Sequence, residues 1–449
     1  MLKNAVVSKN ISHHQSACRR RRHIGGSLMD GMTGSQLNTA PTTKRNEEEA
    51  NSEIIVPKKH IKVITLRSWK RLESNINSLP DDIMFDIFVR IPAQDIYRSV
   101  RSVCRKWYQM IHTHKFRNTH LHHSTCGLLL RKRVSQSTEL TFMSLSRQGQ
   151  IELTKLNCEL KQEIRCNSCN GLVLESETRD GSSIYITNPV TMQRFSLPRL
   201  LYPLSGQSFR FYAIAYASLS MKYKVVRVYL DRENYQWGCI ILTVGVYKSW
   251  RPICTKHVSL VANTNLRFRP LTTEGFVHWA KSGNYILTLN VETEIITESL
   301  VPSSSGAEVY YFSTVKYLSM LIEREGGCSW EVWEMKPETG EWTQLPGIDL
   351  EDRMCDILGV IFGVICGGLR EGDKPCTSFA CIRRCLVPVG WLEYKEVLLY
   401  RLYCPLTGQQ LSLCMAWNIR LKKFEFIELD SELYGFFPHR NSLLWLDGC

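Results

Sequence analysis

The sequence lacks the features of a secreted or membrane-spanning protein. Its first residues, Met1-Leu2-Lys3-Asn4, contain no long apolar run, so we expect no secretory signal. The longest apolar stretch, residues 357–369, is too short to span a bilayer, and we predict that it forms a buried pair of strands. The 17 cysteines are an odd number scattered along the chain, which favours reduced thiols in the cytoplasm or nucleus.

Catalytic motifs are also missing. No Gly-x-Ser-x-Gly, His-Glu-x-x-His or kinase-like set occurs, and Gly367-Gly368 lacks the context of a phosphate-binding loop. Catalytic triads assemble from residues that are distant in sequence, so this absence lowers the expectation of an enzyme without excluding one. We expect no cofactor.

Metal-binding spacings are incomplete. Cys166 and Cys169 have the spacing of half a zinc site, but Cys381 and Cys385, the candidate second pair, are one residue too far apart. Histidines cluster after residue 111, where we expect an exposed loop. They are His112, His114, His120, His122 and His123. We predict no metal site in either region.

Acidic residues are nearly absent from the start of a chain whose net charge is +13: Asp30 is the only one in the first 46 residues. Such an excess attracts acidic partners or nucleic acid. However, no zinc finger, recognition helix or base-stacking motif supports nucleic-acid binding. Residues 1–65 are predicted to be a disordered basic tail, in which Arg19, Arg20, Arg21 and Arg22 match a nuclear import signal.

A helical segment is predicted over residues 75–122. Apolar residues recur every four positions on one helix face, namely Leu79, Ile83, Ile87 and Ile91. Ser78 is the predicted N-cap, and Pro92 ends the run. A second stripe predicts a second helix, with Val100, Val103, Cys104, Trp107, Met110 and Ile111. A unit this small leaves apolar surface uncovered, which indicates a partner.

Residues 125–449 are predicted to form one large all-β domain without a long helix. Short strands bounded by Gly, Asn, Pro or charged turns occur, for example, at 126–130, 183–186, 223–229, 240–246 and 285–289. A degenerate repeat joins a strand, a turn with Thr or Gly, and an aromatic or branched residue. The residues after the turn are Trp250, Ile296, Trp342 and Phe424.

These aligned residues are separated by 46, 46 and 82 residues, and the last gap is close to two periods. A period of about 40–50 residues is typical of four-stranded propeller blades. We interpret each copy as the outer hairpin of a blade, and about six blades would fit. Coincidence among ordinary β-hairpins is the alternative, because the kelch and WD signatures are missing.

The helical segment resembles an F-box. The resemblance rests on Leu79-Pro80-Asp81-Asp82-Ile83, on Arg90-Ile91-Pro92, and on Val100-Arg101-Ser102-Val103-Cys104-Arg105-Lys106-Trp107. Ile91 stands where this family usually has Leu. The downstream chain is similar to the F-box-associated domains of large plant F-box families, through Ser168-Cys169-Asn170-Gly171-Leu172-Val173, Asn188-Pro189-Val190-Thr191 and Trp330-Glu331-Val332-Trp333.

The resemblance implies a non-catalytic substrate receptor of an SCF-type ubiquitin ligase. The F-box would dock on a Skp-type adaptor, and through it on a cullin–RING ligase, while the β domain would hold an unidentified protein substrate. The family's apolar adaptor contacts correspond to Leu79, Pro80, Ile83, Ile87, Ile91 and Pro92. Val103, Cys104 and Trp107 would hold the F-box together, with part of that stripe facing the adaptor.

Three other functions remain open at this point. A non-degradative F-box scaffold would have the same fold and the same adaptor. A stand-alone β-propeller that binds or transforms its own ligand would need a convergent polar site. A nucleic-acid-binding protein would use the basic tail, although we do not expect nucleic acid or a membrane as partner.

Overall fold

The computed structural model describes residues 79–134, 137–146, 148–161, 167–176, 183–199, 207–231, 234–281, 284–302, 307–366, 385–404, 409–429 and 433–446. The predicted basic tail, the arginine cluster within it and the predicted cap Ser78 all lie outside these residues. In the described part of the chain, no helix has the length and apolar character that crossing a membrane requires.

Four short helices come first, and we call residues 79–123 the helical unit. They are α1 Asp81–Phe88, α2 Ala93–Arg98, α3 Arg105–Ile111 and α4 His114–His123. Pro80 and Pro92 occupy the N-cap positions of α1 and α2, where the missing proline N–H costs nothing. Asp81 and Asp82 favour the positive end of the α1 dipole.

The predicted continuous helix over 100–111 was wrong. A 3-10 turn, Val100–Ser102, precedes α3, and the backbone of Cys104 is extended between them, with φ −156° and ψ 165°. The break lets the stripe turn inward at Trp107, which lies edge-on to Phe88 with ring centroids 4.7 Å apart. Aromatic pairs of this kind add to the energy gained by burying their area.

The described residues after the helical unit form 24 strands in six antiparallel sheets of four. The strands are β1 Cys126–Val134, β2 Ser137–Leu145, β3 Ile151–Lys161, β4 Ser168–Cys169, β5 Leu172–Ser176, β6 Ile184–Thr187, β7 Arg194–Ser196, β8 Gln207–Ala217, β9 Lys222–Asp231, β10 Gln236–Thr243, β11 Arg251–Ile253, β12 Leu271–Thr273, β13 Phe276–Trp279, β14 Tyr285–Asn290, β15 Ile295–Leu300, β16 Val309–Ser313, β17 Leu318–Glu323, β18 Ser329–Met335, β19 Trp342–Asp349, β20 Leu386–Glu393, β21 Val397–Tyr403, β22 Gln410–Asn418, β23 Lys423–Glu428 and β24 Leu433–Arg440.

The sheets are the blades of a six-bladed β-propeller. Blades 1 to 5 are the successive groups of four from β4 to β23, and blade 6 has the strand order β24-β1-β2-β3. The first strands, β4, β8, β12, β16, β20 and β24, contact one another in a closed ring. The C-terminal strand therefore closes the ring by pairing with β1, and the predicted fold class is confirmed.

The sequence repeat is the outer hairpin of each blade, as interpreted. In five blades the turn between the third and fourth strands contains a residue with φ between 50° and 74°, namely Met192, Gly245, Glu294, Gly340 or Lys422. Ile296, Trp342 and Phe424 each follow this residue by two positions and lie in the outer strand. The turn therefore sets the spacing that the repeat displays.

Outer-strand tryptophans link neighbouring blades. The indole N–H of Trp250, just before β11, donates to the carbonyl of Pro198 beyond β7 at 2.9 Å. The indole N–H of Trp342 in β19 donates in the same way to the carbonyl of Leu300 in β15 at 3.0 Å. The bonds explain why tryptophan recurs at this position, because the indole ring combines a large apolar surface with an N–H donor.

The described part of the long apolar stretch, residues 357–366, is helical, so the predicted strand pair was wrong, as was the expectation of a β domain without a long helix. Helix α6, Met354–Cys366, lies between β19 and β20, and a single turn of helix, α5 Leu260–Asn263, follows β11. Ile357 and Ile361 are buried one turn apart, whereas Val360 is exposed. A uniformly apolar run carries no periodicity from which to separate helix from strand.

Candidate functional site

The helical unit exposes four apolar side chains, which we call the outer patch. Ile83, Ile87, Val103 and Tyr108 are 44%, 46%, 45% and 48% exposed. Ile83 and Ile87 lie one turn apart on α1, while Met84 and Phe88 on the same helix are buried in the core of the unit. An exposed apolar cluster on so small a unit is typical of a protein-binding surface.

An ion pair orders the helices that carry the outer patch. The Lys106 ammonium group contacts the Asp81 carboxylate, which brings the start of α3 against the start of α1. Arg101 stacks over the ring of Tyr97 with its guanidinium carbon 3.7 Å from the centroid. The ion pair is exposed, so it orients the two side chains rather than contributing much stability.

The predicted adaptor contacts fall into two groups. Pro80, Pro92 and three members of the outer patch, Ile83, Ile87 and Val103, are exposed. Leu79, Ile91 and Cys104 are partly buried and pack on the core, and Trp107 is buried. Tyr108 was missed because it lies outside the apolar stripe of the second predicted helix.

Four of the five clustered histidines lie on helix α4, and His112 is the C-cap of α3, so the predicted exposed loop was wrong. His120 is buried, and its Nε2 lies 2.9 Å from the carbonyl oxygen of Ile91. Burial lowers the pKa of His120 below its usual range. This side chain therefore ties α4 to the residues that follow α1, which is a structural role.

The propeller completes the core of the helical unit. Val190, in the turn after β6, and Leu443, in the segment after β24, pack among the buried side chains of the helices. One guanidinium nitrogen of Arg440, at the end of β24, donates to the carbonyl of Leu121 at 3.2 Å. We call this contact region the joint, since it fixes the helical unit to the propeller.

Asn188 organises the joint. Its side-chain amide donates to the carbonyls of Ser442 at 3.1 Å and Leu444 at 2.7 Å. Its side-chain oxygen accepts the backbone N–H groups of Val190 and Thr191 at 2.9 and 3.2 Å. The fully buried side chain thus sets the turn that presents Val190 and holds the segment that presents Leu443.

The same turn occurs in blade 3 without the contacts of the joint. There Asn290 accepts the N–H groups of Glu292 and Thr293 at 2.9 and 3.2 Å. We predict that Asn188→Ala lowers the free energy of unfolding by about 3 kcal/mol, because it leaves two buried carbonyls without donors. Urea denaturation followed by circular dichroism measures this loss.

Asn290→Ala is the matched control, since it removes a turn of the same geometry. We expect it to cost about 1 kcal/mol, which is typical of a lost side-chain bond at a turn. Equal losses for the two variants would contradict the role of Asn188 in the joint. Sequence analysis had marked the Asn188 motif, but its partners lie some 250 residues away.

The cysteines weighed as metal ligands do not assemble into a site among the described residues. Cys166 and Cys381 lie outside these residues, while burial raises the pKa of the Cys169 thiol to about 12. Within the described ranges, no group of three or more His, Cys, Asp or Glu side chains is arranged to hold a metal ion.

Two family models match the chain. Residues 76–121 match the F-box-like model, and residues 128–317 match the model of the F-box associated beta propeller domain. The first match covers all but the last two residues of the helical unit, and the second runs from within β1 through the turn after β16.

Several curated proteins of Arabidopsis thaliana are similar to the chain. F-box protein At3g07870 is 28% identical over 165 residues, which are 35% of this chain and 39% of that protein. Putative F-box protein At5g42430 is 23% identical over 297 residues, 60% of this chain and 72% of that protein. F-box protein CPR1 is 27% identical over 183 residues, 36% of this chain and 40% of that protein.

Solved structures give weaker matches. An oligogalacturonate lyase in complex with manganese has a TM-score of 0.35 and 11% identity, over 67% of this chain and 77% of that chain. The Dos1 propeller has a TM-score of 0.30 and 9% identity, over 67% and 66% of the two chains. Scores this low carry no information about function.

Proposed function

We propose that this chain, an F-box protein with an F-box-associated β-propeller domain, is the substrate-recognition subunit of an SCF-type ubiquitin ligase. Its F-box docks on a Skp-type adaptor, and its propeller holds a protein target for ubiquitination. The exposure of the outer patch is the observation that carries this proposal.

The outer patch supports adaptor docking because it leaves four apolar side chains of a small unit in water, where a protein partner can cover them. Ile83 and Ile87 each leave almost half of their surface in water. Burying such side chains against a partner gains roughly 25 cal/mol for each Å² of apolar surface removed from water. Pro80 and Pro92, at the starts of α1 and α2, are also exposed.

The joint supports the proposal that the propeller holds a target for ubiquitination. A receptor accelerates ubiquitin transfer by raising the effective concentration of its target near the transfer machinery. That effect is largest when docking unit and target-binding domain move as one body. The buried contacts of Val190 and Leu443, with the bonds of Asn188 and Arg440, hold the two together. This role requires no chemistry from the chain itself.

Assembly with a ligase core tests the proposal. We expect the full-length chain to co-elute with a purified cullin–RING core in size-exclusion chromatography when a Skp-type adaptor is present, and to elute separately without it. Co-elution without the adaptor would point to a different mode of assembly. Separate elution in both cases, by a chain with native circular dichroism, would contradict the proposal.

A further inference from the structure

A cavity of about 780 Å³ lies at one mouth of the propeller channel, beneath helix α4. Five blades contribute to its wall at or beside the turn that joins their first and second strands. The contributing residues are Asn170, Lys222, Glu274, Tyr317 and Glu393. The volume is in the range of small-molecule sites, which enclose roughly 300–1,000 Å³.

Helix α4 covers this cavity with one entire face. The lining residues of the helix are His114, Arg117, Asn118, Leu121 and His122, spaced by three, one, three and one. A helix face that packs directly on a sheet is apolar. Four of these five side chains are polar or cationic, so this face is suited to a polar ligand or water rather than to direct packing.

The charge at the mouth is predominantly positive. Lys222 and Lys316 lie on the exposed rim, and Arg440 lies deeper, where its described partners are the Leu121 carbonyl and the Cys126 sulfur. Of the two lining carboxyls, Glu274 is exposed and Glu393 is partly buried. Burial raises the pKa of Glu393, and the nearby charge of Arg440 acts in the opposite direction. The two carboxyls are outnumbered by Lys222, Lys316 and Arg440.

Aromatic rings provide the flat part of the wall. Tyr216 and Tyr223 lie with ring centroids 4.9 Å apart, and Trp391 lies edge-on to Tyr394 at 5.6 Å. The polar atoms of the second pair have partners elsewhere, because the Trp391 indole donates to Ser319 and the Tyr394 hydroxyl to Glu334. Their remaining surface is apolar and complements a flat apolar body.

We propose that the channel-mouth cavity binds a small organic anion with a flat apolar body, held between helix α4 and the propeller. The anionic group lies toward Lys222, Lys316 and Arg440, and the apolar body lies against the tyrosine and tryptophan rings. Such a ligand contacts both domains at once, so it stiffens the connection between the docking unit and the target-binding domain.

A matched pair of dyes tests this inference on the full-length chain. The probe is 1-anilinonaphthalene-8-sulfonate, and N-phenyl-1-naphthylamine has the same rings without the sulfonate. We expect saturable binding of the sulfonate at one site, measured by fluorescence titration. Lys222→Glu combined with Lys316→Glu should weaken it about tenfold by placing two like charges at the mouth. The uncharged dye should be affected less than twofold by the same change.

Lys248→Glu is the matched control, since Lys248 is an exposed lysine in the turn before β11 and does not line the cavity. The proposal would be overturned if Lys222→Glu combined with Lys316→Glu left sulfonate binding unchanged. It would also be overturned if Lys248→Glu weakened sulfonate binding as much as the double variant does. Loss of binding on changing Ile83 and Ile87 to Asp would also overturn it, because the dye would then occupy the outer patch. The proposal would also be overturned if the folded chain showed no saturable binding of the sulfonate dye.

Discussion

Replacing Ile83 and Ile87 together by Asp is expected to abolish binding to a Skp-type adaptor without unfolding the chain. Both side chains are about half exposed, so their replacement changes the free energy of unfolding by only about 0.5 kcal/mol each. At an adaptor interface, two carboxylates buried in apolar contact cost on the order of 4 kcal/mol, or about a thousandfold in affinity. Calorimetric titration measures the affinity.

The control for this prediction is the same change at exposed apolar positions of the propeller. Ile295 and Leu300, at the two ends of β15, are 55% and 66% exposed. Their replacement by Asp should leave adaptor affinity within about twofold of the unmodified chain. Equal losses from the two double variants would mean that the effect is one of charge in general. Full affinity after the change in α1 would exclude the outer patch as the docking surface.

Ending the chain after residue 432 is expected to destroy cooperative folding. The truncation removes β24, which pairs with β1 and closes the ring between β20 and β4. It also removes Leu443 from the core of the helical unit and the two carbonyls that Asn188 binds. These losses together exceed the roughly 5–15 kcal/mol by which folded domains are usually stable.

Thermal unfolding followed by near-ultraviolet circular dichroism detects this outcome. A chain ending at residue 446 is the matched control, because it keeps β24 and every residue of the joint. We expect the control to unfold cooperatively near the temperature of the full chain. Cooperative unfolding of the 1–432 chain at that same temperature would show that the propeller does not depend on closure by its last strand.

The propeller was predictable from sequence because its outer hairpin repeats a local structure. Asn290 and Asn418 each begin such a turn by accepting backbone N–H groups two or three residues ahead, and a residue of positive φ follows at the fifth position. Short-range geometry of this kind leaves a fixed spacing in the sequence. The blade period can therefore be read from the sequence even though the residues differ from blade to blade.

Helix α6 was not predictable because its sequence carries no periodic pattern. Its sequence is apolar almost throughout, and the structure alone separates buried Ile357 and Ile361 from exposed Val360. In the helical unit, periodicity located α1 correctly but left open which side is buried. Met84 and Phe88 lie in the core instead of Ile83 and Ile87. Burying the large ring of Phe88 removes more apolar surface from water than burying an isoleucine would, which favours this orientation of the helix.

The joint lay beyond sequence reasoning because it is made by distant segments. The Asn188 motif was visible in the sequence, but no spacing connects it with the C-terminal segment. Their contact exists only after ring closure has brought β24 beside β4. Long-range hydrogen bonds of this kind leave no local pattern along a single chain.

Titration of a purified Skp-type adaptor into the purified full-length chain tests the central claim most directly. We predict binding at one adaptor per chain, with a dissociation constant well below about 1 μM, as expected for a stable docking interface with apolar hot spots. No binding by a chain that unfolds cooperatively would contradict the claim. The outer patch would then need another partner, and the chain would not be a ligase receptor.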